Sequence, residues 1–192
     1  SKSRGLGDVY KRQADLRIGI GHDTHRLGEG GPLLIGGVTI DFDRHLIGHS
    51  DADVLMHAVT DALLGAAALG DIGEVYPNTD AENAGRDSGE MLSGAMQRVV
   101  EAGFRLINLD CIVFAQEPKL GAFKRPIAEK LASLLKVQPD QIGVKAKTGE
   151  RVGPVGRQEA IMAECVALLC RVAPDSGGSC LLYTSPSPRD FE

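Results

Sequence analysis

Residues 50–70 constrain the fold more than any other part of this sequence. Val54, Leu55, Ala58, Ala62, Leu63, Ala66 and Leu69 recur at helical spacing, Ser50 with Asp53 fits a capping box, and Gly70 closes the run. Such a helix is stable mainly through burial of its apolar face. The flanking sequence supplies material to cover it. Residues 16–21 alternate as a strand, and residues 33–41, with the Gly36-Gly37 pair, read as a second strand or a hairpin arm. Residues 88–102 form a second helix ended by Gly103, and residues 107–113 a half-buried strand. A third helix spans 123–137, entered through Pro126, and a further strand spans 142–146. Residues 71–86 are polar and rich in turn formers, a long loop of the kind that is usually functional or mobile. Residues 159–172 stay open between helix, favoured by Ala, Glu, Met and Leu, and a buried strand. The expectation is one compact α+β domain over residues 14–173.

Composition narrows the function. Hydrophobic residues at 43% and charged residues at 24% allow an ordinary core, and no apolar run reaches the length of a membrane span. A net charge of −5, no Trp and few aromatic residues argue against a nucleic-acid surface. The four cysteines, Cys111, Cys165, Cys170 and Cys180, form no C-x-x-C pair, so free thiols in a reducing cytoplasm are expected.

The ends read as foreign. Residues 8–13, Asp-Val-Tyr-Lys-Arg-Gln, can be encoded by GAT GTG TAT AAG AGA CAG. The reverse complement, read one base later, encodes Cys-Leu-Leu-Tyr-Thr-Ser, which is residues 180–185. One inverted DNA segment therefore explains both ends, and it looks like a transposase adapter. Residues 1–13 and 174–192 are expected to be non-native tails.

Chemistry concentrates in three places. All five histidines lie between residues 22 and 57. Asp23 and His25, two apart, face one side of an extended segment, and His57 sits on the first helix with Asp53 and Asp61 one turn either side. Two imidazoles and a carboxylate read as an open zinc or iron set, with Asp53 or Asp61 orienting His57, or else as a partly buried helix histidine beside an Asp23-Thr24-His25 turn. His49-Ser50-Asp51 lies at the helix N-terminus, where backbone N–H groups suit a phosphate or an ordinary cap. Lys147-Thr148-Gly149-Glu150 follows a strand, with Gly153, Gly156 and Arg157 soon after. That is a phosphate and Mg²⁺ candidate without the spacing of a P-loop, or a solvated turn.

Together these pieces are more specific than any one. Asp23-x-His25, Gly48-His49-Ser50-Asp51-x-Asp53, and His57 followed by Thr60-Asp61-Ala-Leu-Leu-Gly-Ala-Ala-Ala-Leu-Gly-Asp71-Ile72-Gly73 resemble the 2-C-methyl-D-erythritol 2,4-cyclodiphosphate synthase family. Tyr76-Pro-Asn-Thr-Asp80, Ala115-Gln-Glu-Pro118-Lys119 and Thr148-Gly-Glu150 continue the match in order, over about residues 17–172.

The resemblance implies a four-stranded sheet covered by helices on one face, with the last segment a strand. It implies a homotrimer with sites between subunits, in the cytoplasm. Asp23, His25 and His57 would hold Zn²⁺, and Glu150 would hold Mg²⁺ or Mn²⁺. His49 and Ser50 would face the methylerythritol phosphate, with Asp71, Ile72 and Gly73 near its hydroxyls and Tyr76 to Asp80 enclosing that end. Ala115, Pro118, Lys119 and Gly121, with Lys147, Thr148 and Gly149, would cradle the cytidine diphosphate, and Arg157 would lie close to phosphate. His49 and Thr148 would polarise oxygens while the substrate 2-phosphate displaces CMP.

The chain departs from the family pattern at Lys147 and Gly149, at Asn78, at Pro154 and at His22. Two other readings compete. One is a phosphohydrolase built on the adjacent His22-Asp23, which would release inorganic phosphate. The other is a nucleotide-binding trimer without turnover.

Overall fold

A computed structural model describes residues 15–77, 79–80, 83 and 85–172. Both expected tails and Asn78 lie outside the described residues. The strands are β1 (Leu16–Glu29), β2 (Leu33–Ile35), β3 (Val38–Ile40), β4 (Arg44–Ile47), β5 (Phe104–Phe114), β6 (Ile142–Lys147) and β7 (Ala160–Arg171). The helices are α1 (Val54–Ala66), α2 (Ile72–Val75), α3 (Ser88–Glu101), α4 (Lys124–Leu135) and α5 (Gly153–Gly156).

The main sheet has five strands in the order β4-β1-β7-β5-β6, not the expected four. The fifth is β4, whose four residues pair only with Arg26–Glu29 at the far end of the long β1. So short a segment, without alternation, carried no strand signal. All pairings are antiparallel except β5–β6, which are joined through α4 as a parallel crossover needs. β2 and β3 form a separate hairpin. Gly36 and Gly37, both at positive φ, make its two-residue turn, which only glycine adopts without strain.

β7 settles the ambiguous last segment as a strand. It lies at the sheet centre between β1 and β5, with Ile161, Ala163, Cys165, Ala167 and Leu169 buried. A central strand covered by helices reads as a continuous apolar run, and its Ala, Met and Leu content then mimics a helix. In β5 a bulge between Leu106 and Asn108 lets Leu106, Leu109, Cys111 and Val113 all face inward. Cys111 and Cys165 stand opposite each other, both buried, with Sγ atoms 3.4 Å apart, and the hydrogen bond with Cys111, with burial, raises the Cys165 thiol.

The alternation in β1 is inverted relative to its hydrophobicity. Over residues 16–21 the buried residues are Gly19 and Gly21, while Ile18 and Ile20 are 73% and 71% exposed on the other side of the sheet. The glycines are buried because α1 lies on them. A Cβ at Gly19 would stand 2.0 Å from the Ala62 carbonyl oxygen, and one at Gly21 would stand 1.9 Å from that of Ala58. Large side chains therefore go outward and the helix backbone comes in. Asp23 and His25 follow the glycines on the same inward side of the strand.

A candidate metal centre and a second polar cluster

The α1 N-terminus is capped by Asp53 rather than Ser50. The Asp53 carboxylate accepts N–H bonds from Leu55 and Met56 and from Gly36 and Gly37 of the hairpin, and it is fully buried. Burial pushes its pKa up against the Gly37, Gly36 and Met56 donors. Two N–H groups of the first turn are thus taken up by the cap itself. Asp61 is occupied too, accepting the Ile72 N–H at 2.8 Å. Neither residue orients His57, contrary to the sequence expectation.

His57 instead projects from α1 toward β1. Its Nδ1 lies 3.0 Å from Asp23 Oδ2 and 3.1 Å from His25 Nε2, and those two atoms are 2.9 Å apart. The other nitrogen of each imidazole is held elsewhere. His25 Nδ1 donates to the Ile47 carbonyl at 3.0 Å, which leaves Nε2 as a lone pair. His57 Nε2 lies 3.0 Å from both Ser50 Oγ and Ser88 Oγ. Gly48 permits this packing, since a Cβ there would stand 2.9 Å from His25 Cε1.

Three acceptor atoms therefore converge, and a cation is what relieves their repulsion. Two imidazole nitrogens and one carboxylate oxygen suit a borderline transition metal and leave a coordination position open. Protons are the alternative to a cation. Burial alone would raise Asp23, but with the imidazoles protonated their hydrogen bonds and charge outweigh it and hold the carboxyl well below its usual range. Burial would lower His25, yet the Asp23 carboxylate beside it raises that imidazole above its ordinary value.

These residues floor a cavity of about 520 Å³. Of the residues expected at the methylerythritol end, His49, Ser50, Ile72, Gly73 and Tyr76 line it, with Asp61, Asn83 and Met91. Asp71 does not line it and instead caps α2 through the Glu74 N–H. The backbone N–H of Asp80 turns inward to the Pro77 carbonyl. The wall is braced by Tyr76, whose hydroxyl donates to the Met91 carbonyl and whose ring lies under the Arg86 guanidinium, 5.0 Å away. His22, next to Asp23, points to the other side of the strand and pairs with Glu164 at 3.7 Å. The adjacent His-Asp pair of the phosphohydrolase reading therefore does not share a site.

A second polar cluster forms where β5 and β6 end side by side. Ala115 N–H donates to the Lys147 carbonyl, and Arg151 N–H donates to Gln116 Oε1. The Glu117–Pro118 peptide is cis, and Lys119 Nζ reaches Gln116 O and Glu117. Thr148 Oγ1 donates to Glu150 Oε1 at 2.6 Å, and the Glu150 side chain is exposed at a positive-φ position. Gly149 is sterically required, since a Cβ there would stand 2.4 Å from Gly156 N. Gly121 opens a short 3₁₀ turn before α4. Arg157 pairs with Glu159 through two nitrogens. Ala115, Pro118, Lys119, Gly121, Lys147, Thr148, Gly149, Glu150 and Arg157 are all absent from the wall of the Asp23–His25–His57 cavity. The single chain carries two separate polar clusters.

Ser88 was missed at the level of sequence. It is a buried hydroxyl 31 residues from His57, and a serine opening a helix reads locally as nothing but a cap.

Comparison with known proteins identifies close relatives. The YgbB family model matches residues 16–170. A 2-C-methyl-D-erythritol 2,4-cyclodiphosphate synthase of Laribacter hongkongensis is 56% identical over 155 residues, covering 81% of this chain and 96% of the relative. Among solved structures, the bifunctional IspDF from Campylobacter jejuni superposes with a TM-score of 0.80 at 44% identity. It aligns with 83% of this chain, which spans only 43% of that longer protein. A 2C-methyl-D-erythritol-2,4-cyclodiphosphate synthase in its CDP-bound form gives 0.74 at 38% identity, with 80% of this chain and 99% of that one aligned.

Proposed function

We propose that this chain, which belongs to the YgbB family and converts 4-diphosphocytidyl-2-C-methyl-D-erythritol 2-phosphate to 2-C-methyl-D-erythritol 2,4-cyclodiphosphate in isoprenoid synthesis, does so in sites shared between neighbouring subunits of a homotrimer. The observation that carries this is the separation of the two clusters. The metal set with its cavity, and the Thr148–Glu150 turn with residues 115–121, are each half of what a diphosphate substrate needs. The exposed Ile18, Ile20 and Val166 on the helix-free side of the sheet support burial against further copies.

The reaction balances without an external nucleophile. An oxygen of the substrate 2-phosphate bonds to the β-phosphorus, the bond from that phosphorus to the α-phosphate oxygen breaks, and CMP leaves. Because attack is intramolecular, catalysis consists of positioning and charge neutralisation. Asp23, His25 and His57 would hold Zn²⁺, Glu150 would hold Mg²⁺ or Mn²⁺, and when bound these ions neutralise the diphosphate oxygens. His49 and Ser50, on the cavity wall, would hold the methylerythritol phosphate, and Ile72, Gly73 and Tyr76 would exclude water around its hydroxyls. Asp71 and Asp80 would frame that end through the backbone turns they fix. Ala115, Pro118, Lys119 and Gly121 would seat the nucleotide against Lys147, Thr148 and Gly149, with Arg157 near phosphate. Thr148 would turn its hydroxyl from Glu150 to a β-phosphate oxygen, while His49 steadies the attacking phosphate. No described helix is long and apolar enough to cross a membrane, and we place the enzyme in the cytoplasm, where its substrate would be made.

The test is CMP release from the diphosphocytidyl substrate with Mg²⁺ and Zn²⁺ supplied. It is run with the chain lacking residues 1–13 and 180–192, beside His57→Ala. CMP with a cyclic diphosphate product, lost in the variant, is expected. Inorganic phosphate instead of CMP, or undiminished turnover by His57→Ala, would overturn the proposal.

A further inference from the structure

We infer that Ser88, backed by Asp51, is a positioning residue that fixes His57 in the tautomer able to ligate a metal; this rests on the metal reading above. A neutral imidazole carries one N–H, and His57 ligates through Nδ1 only when that proton is on Nε2. Two hydroxyls meet Nε2, Ser50 and Ser88, each at 3.0 Å. A hydroxyl can donate or accept, so Ser50 alone does not choose. It already accepts from the Ala52 N–H, and its own proton is free to point at Nε2. Were it to do so, the ring proton would move to Nδ1 and block the site.

Ser88 has no such freedom. Its hydroxyl donates in a short hydrogen bond to Asp51 Oδ1, so only lone pairs face His57. Asp51 is held in turn: Oδ2 accepts the Ser88 N–H at 3.0 Å, Oδ1 accepts the Asp53 N–H at 3.2 Å, and its own N–H donates to the Arg86 carbonyl. Ser88 is fully buried, so water does not substitute for it. The relay runs from the Asp51 carboxylate through the Ser88 hydroxyl to His57 Nε2–H, leaving the Nδ1 lone pair beside Asp23 and His25. It also ties the start of α3, and the polar loop before it, to the metal set.

The test reads metal binding and proton position, not turnover. Zinc affinity of the full chain is measured by competition with a chromophoric chelator for wild type, Ser88→Ala, Ser88→Thr and Asp51→Asn. In parallel, ¹⁵N imidazole shifts report the His57 tautomer in the metal-free proteins. Ser88→Ala should weaken zinc binding about 10- to 100-fold, as loss of outer-sphere partners does, and should populate Nδ1–H. Ser88→Thr, which keeps the hydroxyl, should restore most of the affinity. Asp51→Asn tests the same point should Ser88→Ala not fold, because its amide donates to Ser88 and frees the Ser88 proton to turn toward Nε2. Ser93→Ala, which removes a hydroxyl that donates to Gly89 O in the same helix, should bind zinc as wild type does. Wild type binding no zinc would overturn the metal reading. Wild type, Ser88→Ala and Asp51→Asn binding zinc alike with His57 as Nε2–H would overturn this inference alone.

Discussion

Gly21 of the first strand lies so close to Ala58 of the first helix that a Cβ would stand 1.9 Å from the Ala58 carbonyl oxygen. This contact sets the helix height over the sheet, and with it the 3.0 Å between His57 on the helix and Asp23 two residues along the strand. Gly21→Ala should therefore lift the helix locally. The expected cost is about 1–3 kcal/mol of stability, as for overpacked cores, with weaker zinc binding, measured by urea unfolding and chelator competition. Unchanged zinc affinity would show that the metal set does not depend on this contact.

Asp61 gives a pH dependence of known sign. Burial raises its pKa above the ordinary 3.8, the Asp71 and Asp23 charges push the same way, and the Ile72 N–H opposes them. The folded state thus binds this proton more tightly than the unfolded one. Its contribution favours folding at low pH and is lost as pH rises from the ordinary value through the raised one. Asp61→Asn keeps an acceptor for Ile72 without the charge. In the presence of chelator the variant should melt above wild type at neutral pH, with the gap closing as pH falls below about 4. A gap that does not change with pH would contradict this.

The outward isoleucines carry the trimer prediction. Ile18→Arg or Ile20→Arg places a charge on a face that, alone in solution, has no reason to be apolar. Light scattering should give the mass of one chain instead of three, with CMP release lost and the monomer fold intact by circular dichroism. A trimer that survives both substitutions would move the interface elsewhere.

Much of this was legible in the residues. The first helix and the shared side of Asp23 and His25 followed from spacing, because helix and strand periods fix which side chains share a side, whereas the joining of His57 to them came only with the family resemblance. What spacing could not give was the inversion in the first strand, since Ile18 and Gly19 alternate as a half-buried strand does and only the helix above decides which is inside. Nor could it choose between Ser50 and Asp53 as cap, two good capping types three residues apart. The last strand looked helical because central strands lose their alternation. Ser88 was invisible because its role comes from a contact across 31 residues, made by a residue type common at helix starts.

The division of the site between subunits is tested most directly by mixing. His57→Ala and Glu150→Ala chains, each inactive alone on this account, are co-expressed with different tags, and heterotrimers carrying both are isolated. In either mixed ring only one of the three interfaces joins an intact metal set to an intact Glu150. CMP release should therefore return to about one third of the wild-type rate per trimer. Mixed trimers no more active than their parents would show that both clusters must come from the same chain, and would contradict the account.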